Sequence, residues 1–232
     1  MPSERLSPGA STPEPGQWDA TMPATLVSVN VGLPREFILN GRTFTSAIWK
    51  EPVAGRVRVQ GVNVAGDDQA DRSVHGGPDK AVYAYSQEDY AWWSAELGRE
   101  LSPGTFGDNL TIRGLDLDEL VVGERWEIGT VVLEACQPRL PCFKLGVRME
   151  DPRFPSRFVQ AARWGAYFRI VREGELTAGD EIRSVARPDH GVALGRIAGV
   201  YHEDHGAAAK LLAAPQLPEG WRRWVEKITA TR

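Results

Sequence analysis

Cysteine is scarce in this chain: two residues in 232, Cys136 and Cys142. They are too few for a disulfide framework or a four-thiolate iron–sulfur cluster, and their spacing is not the CxxC of zinc or redox sites. Any cysteine chemistry is that of a single thiol. No run of about 18 apolar residues occurs, which excludes a transmembrane helix. The first residues also lack the apolar core of a signal peptide, so a cytoplasmic protein without a membrane role is expected. Neither GxxxxGK[ST] nor GxGxxG appears, which leaves a P-loop or Rossmann-type dinucleotide site without support. Positive charge is not concentrated either. Lys and Arg number 27 against 31 Asp and Glu, the formal charge is −4, and no basic run offers a nucleic-acid surface.

What is present is an ordinary globular composition, 42% hydrophobic and 25% charged. Met1 to Met22 hold four of the 16 prolines and only scattered apolar residues, and read as a flexible leader. Short β-rich runs follow: Leu26 to Val31, then Glu36 to Leu39 and Thr43 to Ile48 around an Asn40-Gly41 turn. Val57, Val59, Val62 and Val64 alternate on either side of Gly61, and Ala81 to Tyr85 reads as a buried strand. Ser86 is a helix cap with Asp89 at capping-box spacing, and the helical pattern runs to Gly98. Asn109 to Arg113, Arg125 to Ile128 and Thr130 to Ala135 are strands, with Pro138 and Pro141 breaking the sheet after them. A short helix over Phe154 to Ala162 precedes strands at Tyr167 to Val171 and Glu181 to Val185. Beyond Pro188 three helical patterns remain, Val192 to His202, Gly206 to Ala214 and Glu219 to Ile228, each too short to stand alone.

Two segments can carry chemistry. In Asp71 to Lys80, the glycines Gly76 and Gly77 let backbone N–H groups approach an anion, Lys80 adds a compact charge, and His75 is a candidate base or donor. A surface turn ahead of a strand is the plain alternative. In Gln137 to Lys144, Cys142 follows two prolines and lies between Arg139 and Lys144, a cationic setting that favours a nucleophilic or metal-binding thiolate. Residue chemistry alone leaves a reactive thiol and an inert buried one both open. Cys136 ends a strand and reads as core. His202 and His205 flank a helix break, and Trp92, Trp93, Trp221 and Trp224 sit at helical positions suited to packing.

Together DRSVHGGPDKAV (Asp71 to Val82), PGTFGDNL (Pro103 to Leu110), QPRLPCFK (Gln137 to Lys144) and the helical tail resemble the MOSC domain family, in its YiiM-like branch, over roughly Thr25 to Ile228. Here FGDN stands for the usual FGEN, and Trp164-Gly165-Ala166-Tyr167 follows the family's glycine-aromatic strand opening loosely. The resemblance implies a mainly β protein with α elements: a leader over 1–24, a MOSC-type β-barrel domain over 25–188 and a three-helix domain over 189–232. It implies a bound molybdenum cofactor (molybdopterin) with Cys142 as metal ligand and catalytic residue and His75 as a second catalytic candidate. The cofactor-binding residues would be Gly76, Gly77, Lys80, Asn109, Arg139 and Lys144. The implied reaction is reduction of N-hydroxylated compounds, such as purine bases, to amines.

In the family's sulfurases pyridoxal phosphate belongs to a separate domain, so none is expected within this chain. The two-electron supply would come from a separate flavin or iron–sulfur reductase, since no dinucleotide fingerprint exists. Two alternatives share Cys142: a sulfur carrier holding a persulfide there, and a non-enzymatic cofactor-binding module. A hydrolase built from Cys142, His75 and Asp79 is more distant.

Overall fold

The computed structural model describes residues 23–70 and 76–230. Most of the expected leader, and the loop from Asp71 to His75, lie outside the described residues. The first part of the chain forms β1 (Thr25–Val31), β2 (Arg35–Leu39), β3 (Arg42–Ser46), β4 (Glu51–Val53), β5 (Val57–Gln60) and β6 (Asn63–Val64). Asn40 and Gly41 turn the β2–β3 hairpin with φ of 50° and 73°, the paired positive angles that match a two-residue loop to strand twist.

After a single 3-10 turn at Pro78–Lys80 comes β7 (Val82–Ser86), buried along its whole length. Ser86 then caps α1 (Gln87–Leu97): its hydroxyl accepts the Asp89 N–H at 3.0 Å, and Gly98 closes the helix in the left-handed region. The helix carries the chain across to β8 (Leu110–Arg113), which runs parallel to β7, whereas the other pairings among the described strands are antiparallel. The remaining elements are β9 (Arg125–Ile128), β10 (Val131–Pro138), α2 (Phe143–Met149), α3 (Phe154–Ala161), β11 (Ala166–Arg172), β12 (Gly174–Leu176) and β13 (Ile182–Ala186). The tail holds α4 (Leu194–His202), a 3-10 segment (His205–Ala213) and α5 (Glu219–Ala230). The three helical patterns expected there are thus present, the middle one as a tighter 3-10 winding.

Eight strands make the main sheet, in the order β13-β9-β10-β11-β7-β8-β1-β4. This ladder has two ends, so the pairing does not draw the closed barrel that the resemblance implied. The start of β1 nevertheless meets the start of β13: Thr25 bridges Glu181, Leu26 N–H donates to Asp180 O at 2.9 Å, and Gly179 N–H donates to Leu26 O at 2.8 Å. The architecture is a mixed α/β fold around one large sheet.

The core has two parts. Leu26, Val82, Leu133 and Phe168 of the sheet share one apolar cluster with Ile197, Leu211, Trp221 and Val225 of the tail. A second, aromatic cluster of Tyr85, Tyr90, Trp93, Phe106, Phe154 and Phe158 packs α1 and α3 on β7. Full burial of each such ring contributes roughly 1.5–3 kcal/mol, which explains how two short helices stay in place. Among the described residues no helix is long and apolar enough to cross a membrane.

Candidate functional site

Where β10 ends, the chain passes through Arg139 and Cys142 into α2, and this exit forms one wall of a cleft enclosing about 670 Å³ up to its mouth. Lys80, Asn109, Arg139, Cys142 and Lys144, nominated from three separate segments, all line it. The fold brings them together because β7 and β11 pair side by side, with β10 on the far side of β11 and β8 on the far side of β7. The turn from Pro103 to Gly107 closes the opposite wall. A Cβ at Gly104, where φ is +83°, would stand 2.7 Å from the Lys50 carbonyl, and one at Gly107 would stand 2.9 Å from Ile48 Cγ1. Those glycines let the FGDN segment press against the Ile48–Lys50 backbone.

Along this wall runs a polar seam whose groups pair with one another, Lys50, Asp67 and Asn109 of it lining the cleft. Lys50 and Asp67 form a buried ion pair. Asp67 also accepts from Gly32 N–H and from Asn109 Nδ2, each at 2.8 Å. Asn109 Oδ1 takes the Tyr83 N–H at 3.1 Å, so the side chain expected to bind cofactor is engaged at both ends by the chain itself. Next to it, Asp108 accepts Tyr90 Oη–H at 2.6 Å, Thr111 Oγ1–H at 2.7 Å and Asn30 Nδ2 at 3.2 Å. Burial raises the Asp108 carboxyl above its usual range, and burial likewise lowers the Lys50 ammonium, with Asp67 opposing.

The cleft floor is different. Arg139 is 6% exposed, its guanidinium lies 5.3 Å from the Tyr83 ring centroid and 5.6 Å from that of Phe158, and its Nη1 finds no hydrogen-bond partner among the described residues. A guanidinium stays charged, so an unpartnered N–H on one is costly unless a ligand accepts it. Tyr83 and Tyr167 flank it; burial raises both phenols, with Arg139 opposing, and both keep their protons. Burial also lowers the Lys80 ammonium, against the pull of Asp79 and Cys142. Lys144 Nζ donates to the Thr45 carbonyl at 3.0 Å from the rim. Four cations, Lys50, Lys80, Arg139 and Lys144, thus face two carboxylates, Asp67 and Asp68.

Cys142 is half-buried and occupies the N-cap position of α2 with an extended backbone, its carbonyl accepting Leu145 N–H at 2.9 Å. Cys136, six residues earlier, points into the core as expected: burial pushes its thiol up to about 12, and Arg169 Nε donates to its Sγ at 3.1 Å. Gly77 N–H, expected to face an anion, instead donates to Gln69 Oε1 at 2.9 Å. His75 lies outside the described residues. Asp79, the third member of the hydrolase arrangement, is ion-paired to Arg169 at 2.7 Å. Sequence reasoning missed Lys50, Asp67, Tyr83 and Tyr167; the one available signal was a lysine set directly after Ile48-Trp49, where a buried charge has to find a partner.

A second cavity, about 1400 Å³ including its open mouth, lies on the other side of the Cys142 loop, between it and α5. Gly76, Lys80, Cys142 and Tyr167 line it together with Tyr201, Trp221 and Trp224, so Lys80, Cys142 and Tyr167 belong to both spaces. Gln137 braces the partition: Trp221 Nε1 donates to its Oε1 at 2.9 Å, and its Nε2 donates to the Asp79 carbonyl at 3.0 Å.

The residues present suit an anionic, soft-metal cofactor. Arg139 Nη1 awaits an acceptor, Lys80 and Lys144 add charge, and Cys142 supplies one soft donor. No group of three or more His, Cys, Asp or Glu is placed to hold an ion among the described residues, so a metal seated here has to bring most of its ligands with it.

Comparison with known proteins bears on the same site. A family model described as MOSC domain matches residues 71–183. YflK of Bacillus subtilis is 32% identical over 201 residues, which is 85% of this chain and 91% of that protein. A Gibberella moniliformis protein named reductase is 34% identical over 81% of this chain, which spans only 33% of that longer protein. The crystal structure of YiiM from Geobacillus stearothermophilus superposes with a TM-score of 0.73 at 31% identity, covering 89% of this chain and 99% of that one.

Proposed function

The chain belongs to the MOSC domain family, among the YiiM-like proteins, and from that premise we propose that it is a molybdenum-cofactor-binding oxidoreductase that reduces N-hydroxylated compounds to amines. The observation that carries the proposal is the convergence of the Cys142 thiol with the unpartnered Arg139 Nη1 in one cationic cleft. The name of the Gibberella relative, a reductase, supports reductive chemistry.

In this reading Cys142 holds the metal, and Arg139, Lys80 and Lys144 hold the phosphate of the pterin. The bound cofactor supplies a two-electron centre for cleavage of the N–O bond. The reaction balances as R–NHOH + 2 e⁻ + 2 H⁺ → R–NH2 + H2O. Arg139, held against Tyr83 and Phe158, is fixed before any ligand arrives and needs no reorganisation to receive one. Tyr83 and Tyr167 retain their phenolic protons and line the cleft beside Arg139. The electrons come from a separate flavin or iron–sulfur reductase, which this chain's two cysteines cannot replace.

The test uses protein purified from a host able to make the cofactor. Stoichiometric molybdenum and pterin are expected in the native protein and in Cys136→Ser, and neither in Cys142→Ser. A reduced viologen should drive reduction of an N-hydroxylated purine, whereas NADPH alone should not. Labile sulfane sulfur on Cys142 without molybdenum would overturn the reading in favour of a sulfur carrier.

A further inference from the structure

Among the described strands β2 and β3 pair only with each other, outside both larger sheets, and a two-stranded hairpin left to itself is marginal in water. On its outer face Ile38 is 76% exposed, and Leu33 at its root is 63% exposed. The opposite face rests on the segment that follows Cys142. Phe37 and Phe44 stack at 5.6 Å between ring centroids, Phe44 meets the Phe143 ring edge-on at 5.0 Å, and Lys144 Nζ donates to the Thr45 carbonyl at 3.0 Å. Phe37 also meets Trp49 at 5.5 Å, and Arg35 and Glu51 form an exposed ion pair that adds little. The roots are firmer: Asp67 holds the Gly32 N–H, and Ser46, Ala47 and Ile48 line the cleft. The segment beneath the hairpin needs support of its own. Helix α2 has only seven residues, Cys142 caps it without a side-chain hydrogen bond, and Phe143, its first residue, is 42% exposed. Leu145 and Met149 anchor its buried side, while Phe44 and the Thr45 carbonyl hold its first turn.

We propose that the β2–β3 hairpin is a hinged flap that gates the cationic cleft: closed, it clamps the first turn of α2 and fixes Cys142, and open, it widens the entrance and frees the thiol. The proposal goes beyond the reductase reading and needs neither the metal nor the reaction. Opening breaks two aromatic contacts, one exposed ion pair and one exposed hydrogen bond, and it leaves the eight-stranded sheet intact. Such a unit opens at a free energy well below that of global unfolding. Phe44 and Phe143 are positioning residues, which act on the thiol through the backbone that joins Phe143 to Cys142. Cys136, buried in the core on β10, stands outside the moving unit.

Thiol alkylation of the purified full chain, followed by mass spectrometry at each cysteine, reads the flap directly. A small reagent, iodoacetamide, is compared with a bulky one, fluorescein maleimide. Phe44→Ala removes the aromatic latch and should raise the rate of the bulky reagent at Cys142 about tenfold, with a change of less than about threefold for iodoacetamide. Phe44→Tyr keeps the ring and should react as the native chain does. Cys136 should stay unmodified in all three. A bulky-reagent rate at Cys142 that is the same with and without the Phe44 ring overturns the proposal, and so does a rise at Cys136 that matches the rise at Cys142, which would mean general unfolding. Hydrogen exchange on the native chain decides independently, even where Phe44→Ala fails to fold. The amides of the β2–β3 ladder and the Leu145 N–H, which bonds the Cys142 carbonyl at 2.9 Å, should exchange as one unit and faster than the β1–β8 pairing. Exchange of Leu145 at a rate unrelated to that of the hairpin would show that the two do not move together, and the flap would be withdrawn.

Discussion

Two buried polar regions lie within a few residues of each other, and they differ in what completes them. In the seam along the cleft wall, Asp67 has Lys50, Gly32 and Asn109, while Asp108 has Tyr90, Thr111 and Asn30. The chain supplies every one of those partners. On the cleft floor Arg139 is as deeply buried, carries a permanent charge, and leaves Nη1 unpartnered among the described residues. A closed network fixes a scaffold, and an open one marks the position of a missing acceptor. The seam therefore reads as the support that holds the FGDN turn and β1 in place, and the floor as the place where something binds.

That contrast orders the expected effects of substitution on stability, with the ligand effects running the opposite way. Asp67→Ala should be most damaging. It leaves the Lys50 charge buried and orphans two donors, so a loss of about 3–5 kcal/mol is expected in denaturant unfolding. A loss below about 1 kcal/mol would break the description of the seam as a closed support.

Asp118 sharpens the comparison, because it too has a buried oxygen without a partner among the described residues, yet it lines neither cavity. Burial, with Asp89 and Asp116 adding repulsion, raises its carboxyl from the usual 3.8 to about 8. The folded state then holds a proton that the unfolded state releases above pH 4. Its contribution to stability is full below that point and is lost as pH rises toward about 8. Asp118→Asn should flatten this decline and gain about 1–2 kcal/mol at pH 8, measured as unfolding free energy across pH 5 to 8. An unchanged pH slope would mean that the carboxyl is ionised in the fold.

Arg139→Met should come next, with stability altered by about 1 kcal/mol or less, since a buried charge and its orphan N–H are exchanged for an apolar chain of similar length. Retention of cofactor should nevertheless fall sharply. Lys80→Ala and Cys142→Ser should change stability least, by under about 0.5 kcal/mol, while the first weakens cofactor retention and the second abolishes bound molybdenum. If stability and metal content fall together in all of these, the division between support and site does not hold.

Much of the scaffold was readable because local chemistry decides it. The Asn40-Gly41 turn, the Ser86 cap with Asp89, the Gly98 stop and the alternating valines of β5 and β6 each act within a few residues. Strand β4, carrying Pro52 within three residues, and β12 were not readable, since their formation depends on partners far away in sequence. Helix α2 was missed for a related reason: seven residues with Gly146 in the middle have little intrinsic helical preference, and the burial of Leu145 and Met149 sustains them. At the site, charge and proline around Cys142 pointed to it, and its cationic neighbours Arg139 and Lys144 do face the same cleft. The Lys50–Asp67 pair joins residues 17 apart through a fold that no local pattern announces, and the engagement of Asn109 and Gly77 within the chain needed the actual hydrogen bonds to be seen.

Gln137 gives the partition between the cavities a further property. Its single amide plane bonds Trp221 on one side and, through the Asp79 carbonyl, the turn that carries Lys80 on the other. The amide is thus a strut that ties α5 to the 3-10 turn before β7, so the position of the Lys80 turn depends on the tail as well as on the sheet. Gln137→Glu replaces the donor toward Asp79 with an oxygen and keeps the acceptor toward Trp221. In that variant the Lys80 turn should exchange its amide protons faster, while the indole N–H of Trp221 stays protected.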